Sequence, residues 1–136
     1  MAWLLDTNAW IDYLKNSSSP VRARLAERMP EEIFVCAIVR AELLHGAMKY
    51  GVPERRSAIV HEVLAPYRSL PFDDSAADRY ASIRHDLERA GRVIGPHDLL
   101  IAAICLASGC VLVSANTTEF QRVSGLTVQN WQATAP

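Results

Sequence analysis

The chain has 136 residues, 50% of them hydrophobic, with 14 Lys and Arg against 15 Asp and Glu for a net charge of −1. That size and composition suit one domain with a sizeable core, expected to span residues 1–136. The near-neutral balance excludes a bulk polycation that coats nucleic acid, so any RNA or DNA binding must come from local basic patches and metal.

Residues 2–5 predict a first buried strand. Asp6-Thr7-Asn8 then starts a short helix to about Lys15, because Thr and Asn side chains can cap free amides. Ser19-Pro20, an N-cap followed by a first-turn proline, opens a helix through Arg28. Residues 33–37 predict a second short strand. Residues 38–50 have helical apolar spacing and stop at Gly51. Pro53 opens another helix to about Tyr67, and residues 70–72 predict a short strand. Asp74-Ser75 caps a helix to Ala90 that ends at Gly91. Pro96 opens an apolar helix to Ser108, stopped by Gly109. Residues 110–114 are an apolar, β-branched strand. A helical turn over 117–122 and a last strand near 126–129 follow.

Strands alternating with helices predict an α/β fold, with a mainly parallel central sheet covered by helices on both faces. Ligands of such sheets bind outside the carboxyl ends of the strands. Asp6 follows the first strand, and Asn116 and Glu119 follow the penultimate one. The topology therefore puts these groups on one rim.

Cys36, Cys105 and Cys110 are odd in number, lie in apolar stretches and lack metal-ligand spacing. They read as small buried hydrophobes in a reducing compartment. No signal peptide is visible and no apolar stretch reaches spanning length, so the expectation is a cytoplasmic protein with no membrane partner.

Asp6, Glu42, Asp98 and the pair Asn116/Glu119 lie against apolar sequence rather than in a solvated charge run. Each has an ordinary explanation. Asp6 can cap the helix that follows it, although Thr7 and Asn8 can do that job too. Glu42 can be a surface residue paired with Arg40 or Lys49. Against that, Gly46 lies one turn on, and a glycine inside a helix often marks a close approach. Asp98 can compensate a helix dipole, and Asn116 and Glu119 can form a capped turn. Taken together, buried carboxylates are costly unless something positive compensates them. A divalent metal cluster is the economical explanation and points to phosphodiester chemistry.

Asp6, Glu42, Asp98 and Glu119 would carry four negative charges if ionised, which two Mg²⁺ ions would balance. Their mutual repulsion should raise at least one carboxylate pKa. Oxygen-only donors favour Mg²⁺, or Mn²⁺ as a substitute, over zinc. Such a metal would lower the pKa of a bound water and stabilise charge on the scissile phosphate.

Four segments carry a family resemblance: Leu4-Leu5-Asp6-Thr7-Asn8, Ala41-Glu42-Leu43-Leu44-His45-Gly46, Ile94-Gly95-Pro96-His97-Asp98-Leu99-Leu100-Ile101-Ala102-Ala103, and Leu112-Val113-Ser114-Ala115-Asn116-Thr117-Thr118-Glu119-Phe120. In this order and spacing, over essentially the whole chain, they resemble the PIN-domain ribonucleases, specifically the VapC toxins of toxin–antitoxin pairs. The resemblance implies a three-layer PIN-like fold and Mg²⁺-dependent endonucleolytic cleavage of RNA, with a metal-activated water attacking the phosphodiester. It implies Asp6, Glu42 and Asp98 as acidic metal ligands. The family usually adds an acidic residue after the fourth strand. Here Asn116 stands nearest and Glu119 lies one turn on, so the fourth ligand falls to Glu119 or to the Asn116 amide oxygen. A VapB-type antitoxin and a homodimer are the implied partners. The segment around Asn116 and Glu119 implies transfer RNA, including initiator tRNA, as substrate.

Other residues are less specific. Arg22, Arg24 and Arg28, Arg55 and Arg56, and Arg89 and Arg92 form basic clusters. Each singly reads as a solvated face, yet an RNA substrate requires a basic patch near the rim. Trp3 reads as core. Trp10 and Tyr13 could stack a base, but packing is the better expectation. His97 can touch substrate or make a helix-start hydrogen bond. Two other functions compete. A phosphatase using Asp6 as nucleophile would need a second Asp at position 8, where Asn8 stands. A non-catalytic acidic groove that receives a basic partner would show little response to metal.

Overall fold

A computed structural model describes residues 1–133. Its centre is a five-stranded sheet of β1 (Trp3–Leu5), β2 (Ile33–Cys36), β3 (Arg68–Leu70), β4 (Val111–Val113) and β5 (Val128–Gln129). Every pairing is parallel, in the order β3-β2-β1-β4-β5. The inner strands β1 and β4 are buried at every residue. Uninterrupted apolar runs are what a strand covered on both faces requires.

The helices are α1 (Thr7–Lys15), α2 (Pro20–Ala26), α3 (Ala37–Lys49), α4 (Pro53–Leu64), α5 (Asp74–Arg89), α6 (Pro96–Ser108) and α7 (Thr117–Phe120). Local chemistry sets their ends. Ser19 accepts from the Val21 amide ahead of Pro20, and Pro53 and Pro96 sit in first turns, where no intrahelical N–H is needed. Gly109 closes α6 with φ of 70°, a left-handed conformation that costs glycine little.

Several boundaries differ from the sequence expectation. The predicted strand over 70–72 lies instead at Arg68–Leu70, pairing with Phe34, Val35 and Cys36 of β2. Pro71 cannot donate to a ladder, so pairing stops before it. Apolarity misled here, because β3 is a sheet edge whose Arg68 and Ser69 are exposed. The helix expected to reach Tyr67 ends at Leu64 and that through Arg28 ends at Ala26; the last strand shrinks to two residues. The cap of α5 is Asp73, which accepts from the Ala76 amide at 3.0 Å, rather than Asp74 or Ser75. A short 3-10 turn at Pro30–Glu32 was not anticipated.

Trp10, Trp131, Phe120, Leu4, Leu5 and Leu112 are among the fully buried side chains, each large aliphatic one contributing about 1.5–3 kcal/mol by leaving water. Trp10 packs on Tyr67 and Tyr13, with ring centroids 5.4 and 5.8 Å away, so it is core and stacks no base. Arg28 lies over both Trp3 and Trp131, at 4.4 and 4.5 Å from the ring centroids, and Arg22 lies over Tyr13. Both are thereby removed from any free basic face. Cys36, Cys105 and Cys110 are free and buried, as expected. Among the described residues, no helix is long and apolar enough to cross a membrane.

The strand order fixes where a site can form. From β1 the chain builds outward through β2 and β3, then returns to the other side of β1 as β4. The switch point therefore lies between the carboxyl ends of β1 and β4, the place where parallel sheets open a crevice. Asp6 leaves β1 there, and its amide donates to the Val113 carbonyl of β4 at 3.0 Å. Ser114 to Glu119 leave β4 beside it.

Candidate active site

Asp6 is only 4% exposed. One carboxylate oxygen accepts from the Ala9 amide at 2.9 Å, so Asp6 itself caps α1. The expectation that Thr7 or Asn8 would do this is corrected: Thr7 spends its hydroxyl elsewhere. A carboxylate has room for further partners, so the cap does not exhaust Asp6. Burial pushes its carboxyl up to about 6. The Ser114 hydroxyl and the Ala9 amide pull it down, while the charges of Asp98 and Glu42 push it up.

Glu42 projects from α3. It does not pair with Arg40, whose guanidinium meets His61 Nδ1 at 2.9 Å, nor with Lys49. Instead the Thr7 hydroxyl donates to Glu42 Oε1 at 2.7 Å, and His97 Nδ1 lies 3.2 Å from Oε2. Gly46 carries less meaning than the sequence suggested. A Cβ built there meets nothing within 4 Å, so no close approach requires the glycine.

Asp98 sits half-buried in the first turn of α6. Its carboxyl is raised, first by burial and then by the charges of Glu119 and Glu42, against lowering by the Asn116 amide and by His97. A raised carboxylate was expected from mutual repulsion. For Asp6 and Asp98 alike, desolvation is the larger cause.

Asn116 does not cap α7 with its side chain. Its Nδ2 donates to Asp98 Oδ2 at 3.2 Å and to Glu119 Oε2 at 2.5 Å. Glu119 Oε1 in turn accepts from the Gly95 amide at 3.3 Å. The capped-turn reading is thus replaced by a bridge. Asp98, Asn116 and Glu119 form one connected group, Thr7, Glu42 and His97 a second, and Asp6 lies between them in the range of their charges. The sequence had singled out every one of these except Thr7 as a Glu42 partner and Ser114 as an Asp6 partner. Their only signal was position: Thr7 directly follows Asp6, and Ser114 directly follows β4, two residues before Asn116.

The charge balance of this rim is its main chemical property. No Lys or Arg makes an ion pair with Asp6, Glu42, Asp98 or Glu119 among the described residues. No three of the His, Cys, Asp and Glu groups there stand close enough to form a ready-made ion cage. Amide and hydroxyl groups hold the carboxylates instead. The donor set is nevertheless all oxygen, acidic and partly desolvated, which fits a hard divalent cation and suits a thiolate- or imidazole-seeking one poorly.

The model of the PIN domain family matches residues 3–126. Over 131 residues the chain is 34% identical to the tRNA(fMet)-specific endonuclease VapC of Shigella flexneri, a match covering 96% of this chain and 98% of that protein. It is 33% identical, with the same coverage, to ribonuclease VapC2 of Haemophilus influenzae. The crystal structure of DNA-bound VapBC from Salmonella typhimurium contains a chain that superposes with a TM-score of 0.90 at 33% identity, covering 96% of this chain and 98% of that one.

Proposed function

The chain belongs to the PIN domain family, and from that premise we propose that it is a VapC-type toxin, an endoribonuclease formed by one domain over residues 1–136. The observation that carries the reading is a rim of four carboxylates at the sheet's switch point with, among the described residues, no Lys or Arg paired to any of them. Such a rim disfavours RNA unless cations screen it. Asp6, Glu42, Asp98 and Glu119 would hold a divalent cation, Mg²⁺ or Mn²⁺, with Asn116 orienting two of them. A bound cation would supply a water of lowered pKa and a counter-charge for the scissile phosphate.

The chain's own residues do the positioning. Thr7 and His97 hold the two oxygens of Glu42 from opposite elements, α1 and α6. Asn116 keeps Asp98 and Glu119 facing one point. Ser114, buried at the end of β4, donates to Asp6 and keeps that carboxylate turned to the rim. Thr7 and His97 are anchored on regular elements, and Ser114 and Asn116 lie in the short connection between β4 and α7. The supports thus sit on or beside rigid parts of the fold, which is what fixes reacting groups against thermal disorder.

The reading has three further parts. The substrate is RNA, with initiator tRNA favoured by the name of the Shigella protein. The partner is a VapB-type antitoxin. A groove of about 440 Å³ between α1, α3 and α4, lined by Ile11, Leu14, Leu43, Tyr50 and Ile59, runs up to Glu42 and suits an amphipathic helix. A homodimer working in the cytoplasm completes the proposal.

The test is incubation with a total tRNA pool, with Mg²⁺ or with EDTA, running Asp98→Asn in parallel. Discrete fragments that need Mg²⁺ and are absent from the variant are expected, and sequencing their ends names the target. Identical fragments from both proteins, or none from either, would sink the nuclease reading in favour of an acidic groove that only binds a basic partner.

A further inference from the structure

We propose that the cleft between α5 and the segment that follows α7, lined by Arg79, Arg92 and Arg122, seats backbone phosphates of the RNA strand beside the acidic rim. The proposal rests on the ribonuclease reading and adds to it a second, non-catalytic contact.

The rim itself repels RNA, so affinity must come from elsewhere on the molecule. Phosphate contacts by Lys and Arg supply essentially all of non-specific nucleic-acid binding and a large share of specific binding. Several arginines are already engaged: Arg22 and Arg28 on aromatic rings, Arg40 on His61, Arg84 on Glu88 and Tyr80. Arg79 and Arg92 differ. Among the described residues, neither side chain makes an ion pair, hydrogen bond or ring contact.

Both line a cleft of about 380 Å³ together with Arg122, Ser82, Ser124 and Asp86. Three guanidinium groups against one carboxylate leave the cleft cationic, with two serine hydroxyls to add hydrogen bonds. Arg122 Nη1 donates to the Val93 carbonyl at 2.9 Å, while its Nε is buried and has no partner among the described residues. An unsatisfied, desolvated guanidinium N–H is costly, and a phosphate oxygen is the acceptor that guanidinium matches best.

The cleft and the rim are tied together through one loop. Arg122 follows Glu119 by three residues, and its amide donates to the Glu119 carbonyl at 3.0 Å. Arg122 grips Val93, and Glu119 grips Gly95, in the same loop that leads into Asp98. Arg92 lies in that loop. Arg79 sits ten residues before the end of α5, about 15 Å down the helix at 1.5 Å per residue. The cationic track thus starts beside the rim and leads away from it, over a length that spans more than one phosphate.

The experiment compares Arg79→Gln/Arg92→Gln with its parent, both carrying Asp98→Asn so that RNA is not cut. Arg122 is left intact because its bond to Val93 is structural. Binding of labelled total tRNA is read by fluorescence anisotropy across a salt series, with melting temperature and sedimentation as controls. The double variant is expected to bind about tenfold more weakly. The steepness of its log K against log salt should fall by roughly 1.4, about 0.7 for each lost single-strand contact. Arg79→Lys/Arg92→Lys should recover most of the affinity. In the cutting protein, the Gln pair should raise KM and leave kcat within about twofold.

Equal affinity and slope in parent and double variant would overturn the cleft while leaving the nuclease intact. So would protection of the parent alone by inorganic phosphate with no change toward tRNA, which would make the cleft a small-anion site. A change confined to sedimentation would make it an interface between copies of this chain and overturn it equally. Absence of tRNA binding by the parent would overturn both the cleft and the nuclease reading.

Discussion

Asn116 joins Asp98 to Glu119 through a single amide nitrogen, at 3.2 Å from one carboxylate and 2.5 Å from the other. It is the positive end of a dipole placed where two negative charges would otherwise face each other. Asn116 therefore orients the acids without adding to their charge, and Glu119 stands beside Asp98 as the second carboxylate on this side of the rim.

That geometry ranks two variants. Glu119→Gln should reduce cleavage by at least tenfold more than Asn116→Ala, because it removes a candidate ligand rather than a ligand's support. Asn116→Ala should cost about 1–2 kcal/mol of stability for the two lost bonds to charged groups, reduced by their partial exposure. Initial rates with tRNA and thermal melts read both. The opposite ranking of rates would transfer the fourth ligand to Asn116.

Asp98→Asn should abolish cleavage and leave the melting temperature unchanged or higher in EDTA. The substitution removes a partly desolvated charge that Glu42 and Glu119 oppose. Adding Mg²⁺ should raise the melting temperature of the wild-type protein and leave that of the variant nearly unmoved. A variant that unfolds would show that Asp98 serves the helix start.

The parts of this site that could be read in the sequence are those fixed by topology. Asp6 directly follows a wholly apolar strand, and Asn116 and Glu119 follow another, so a parallel sheet must bring them together. The order of the strands was not legible, because nothing in short apolar runs says which neighbour each will take. Side-chain pairings were hidden for a related reason. Thr7 looked like a cap and turned out to hold Glu42, 35 residues away, while Asp6 did the capping. Local propensity ranks both residues as caps, and only tertiary contact decides between them. The edge strand β3 was misplaced because its exposed polar residues pair while the apolar stretch after it, broken by Pro71, does not.

Stability should depend on pH through Asp6. Its carboxyl is raised from an ordinary 3.8 to about 6, so the folded protein binds the proton more tightly than the unfolded chain. Stability from this group is fully present below about 3.8 and is lost as pH rises through 6. By linkage the ionised carboxylate costs on the order of 3 kcal/mol at pH 7, at about 1.36 kcal/mol per pKa unit. In EDTA the melting temperature should fall between pH 5 and pH 7. Asp6→Asn, which still offers an oxygen to the Ala9 amide, should flatten that dependence and raise stability at neutral pH. A wild-type melting temperature that climbs over the same interval would contradict the assignment.

Glu42 gives the last prediction. It is a half-buried carboxylate whose two oxygens face a hydroxyl from α1 and an imidazole from α6, and among the described residues no Lys or Arg pairs with it. Thr7→Val and His97→Phe each free one oxygen, so each should allow Glu42 to swing from the rim. A loss of about tenfold in kcat is expected from either, at a stability cost of about 1 kcal/mol for the Thr7 hydrogen bond and less for the exposed His97 contact. Because both act through the same side chain, the double variant should lose little more than the worse single one. Glu42→Gln tested on top of either should then add less than it does alone. Losses that multiply would mean that Thr7 and His97 serve the reaction separately, with His97, exposed at the rim, touching the RNA itself.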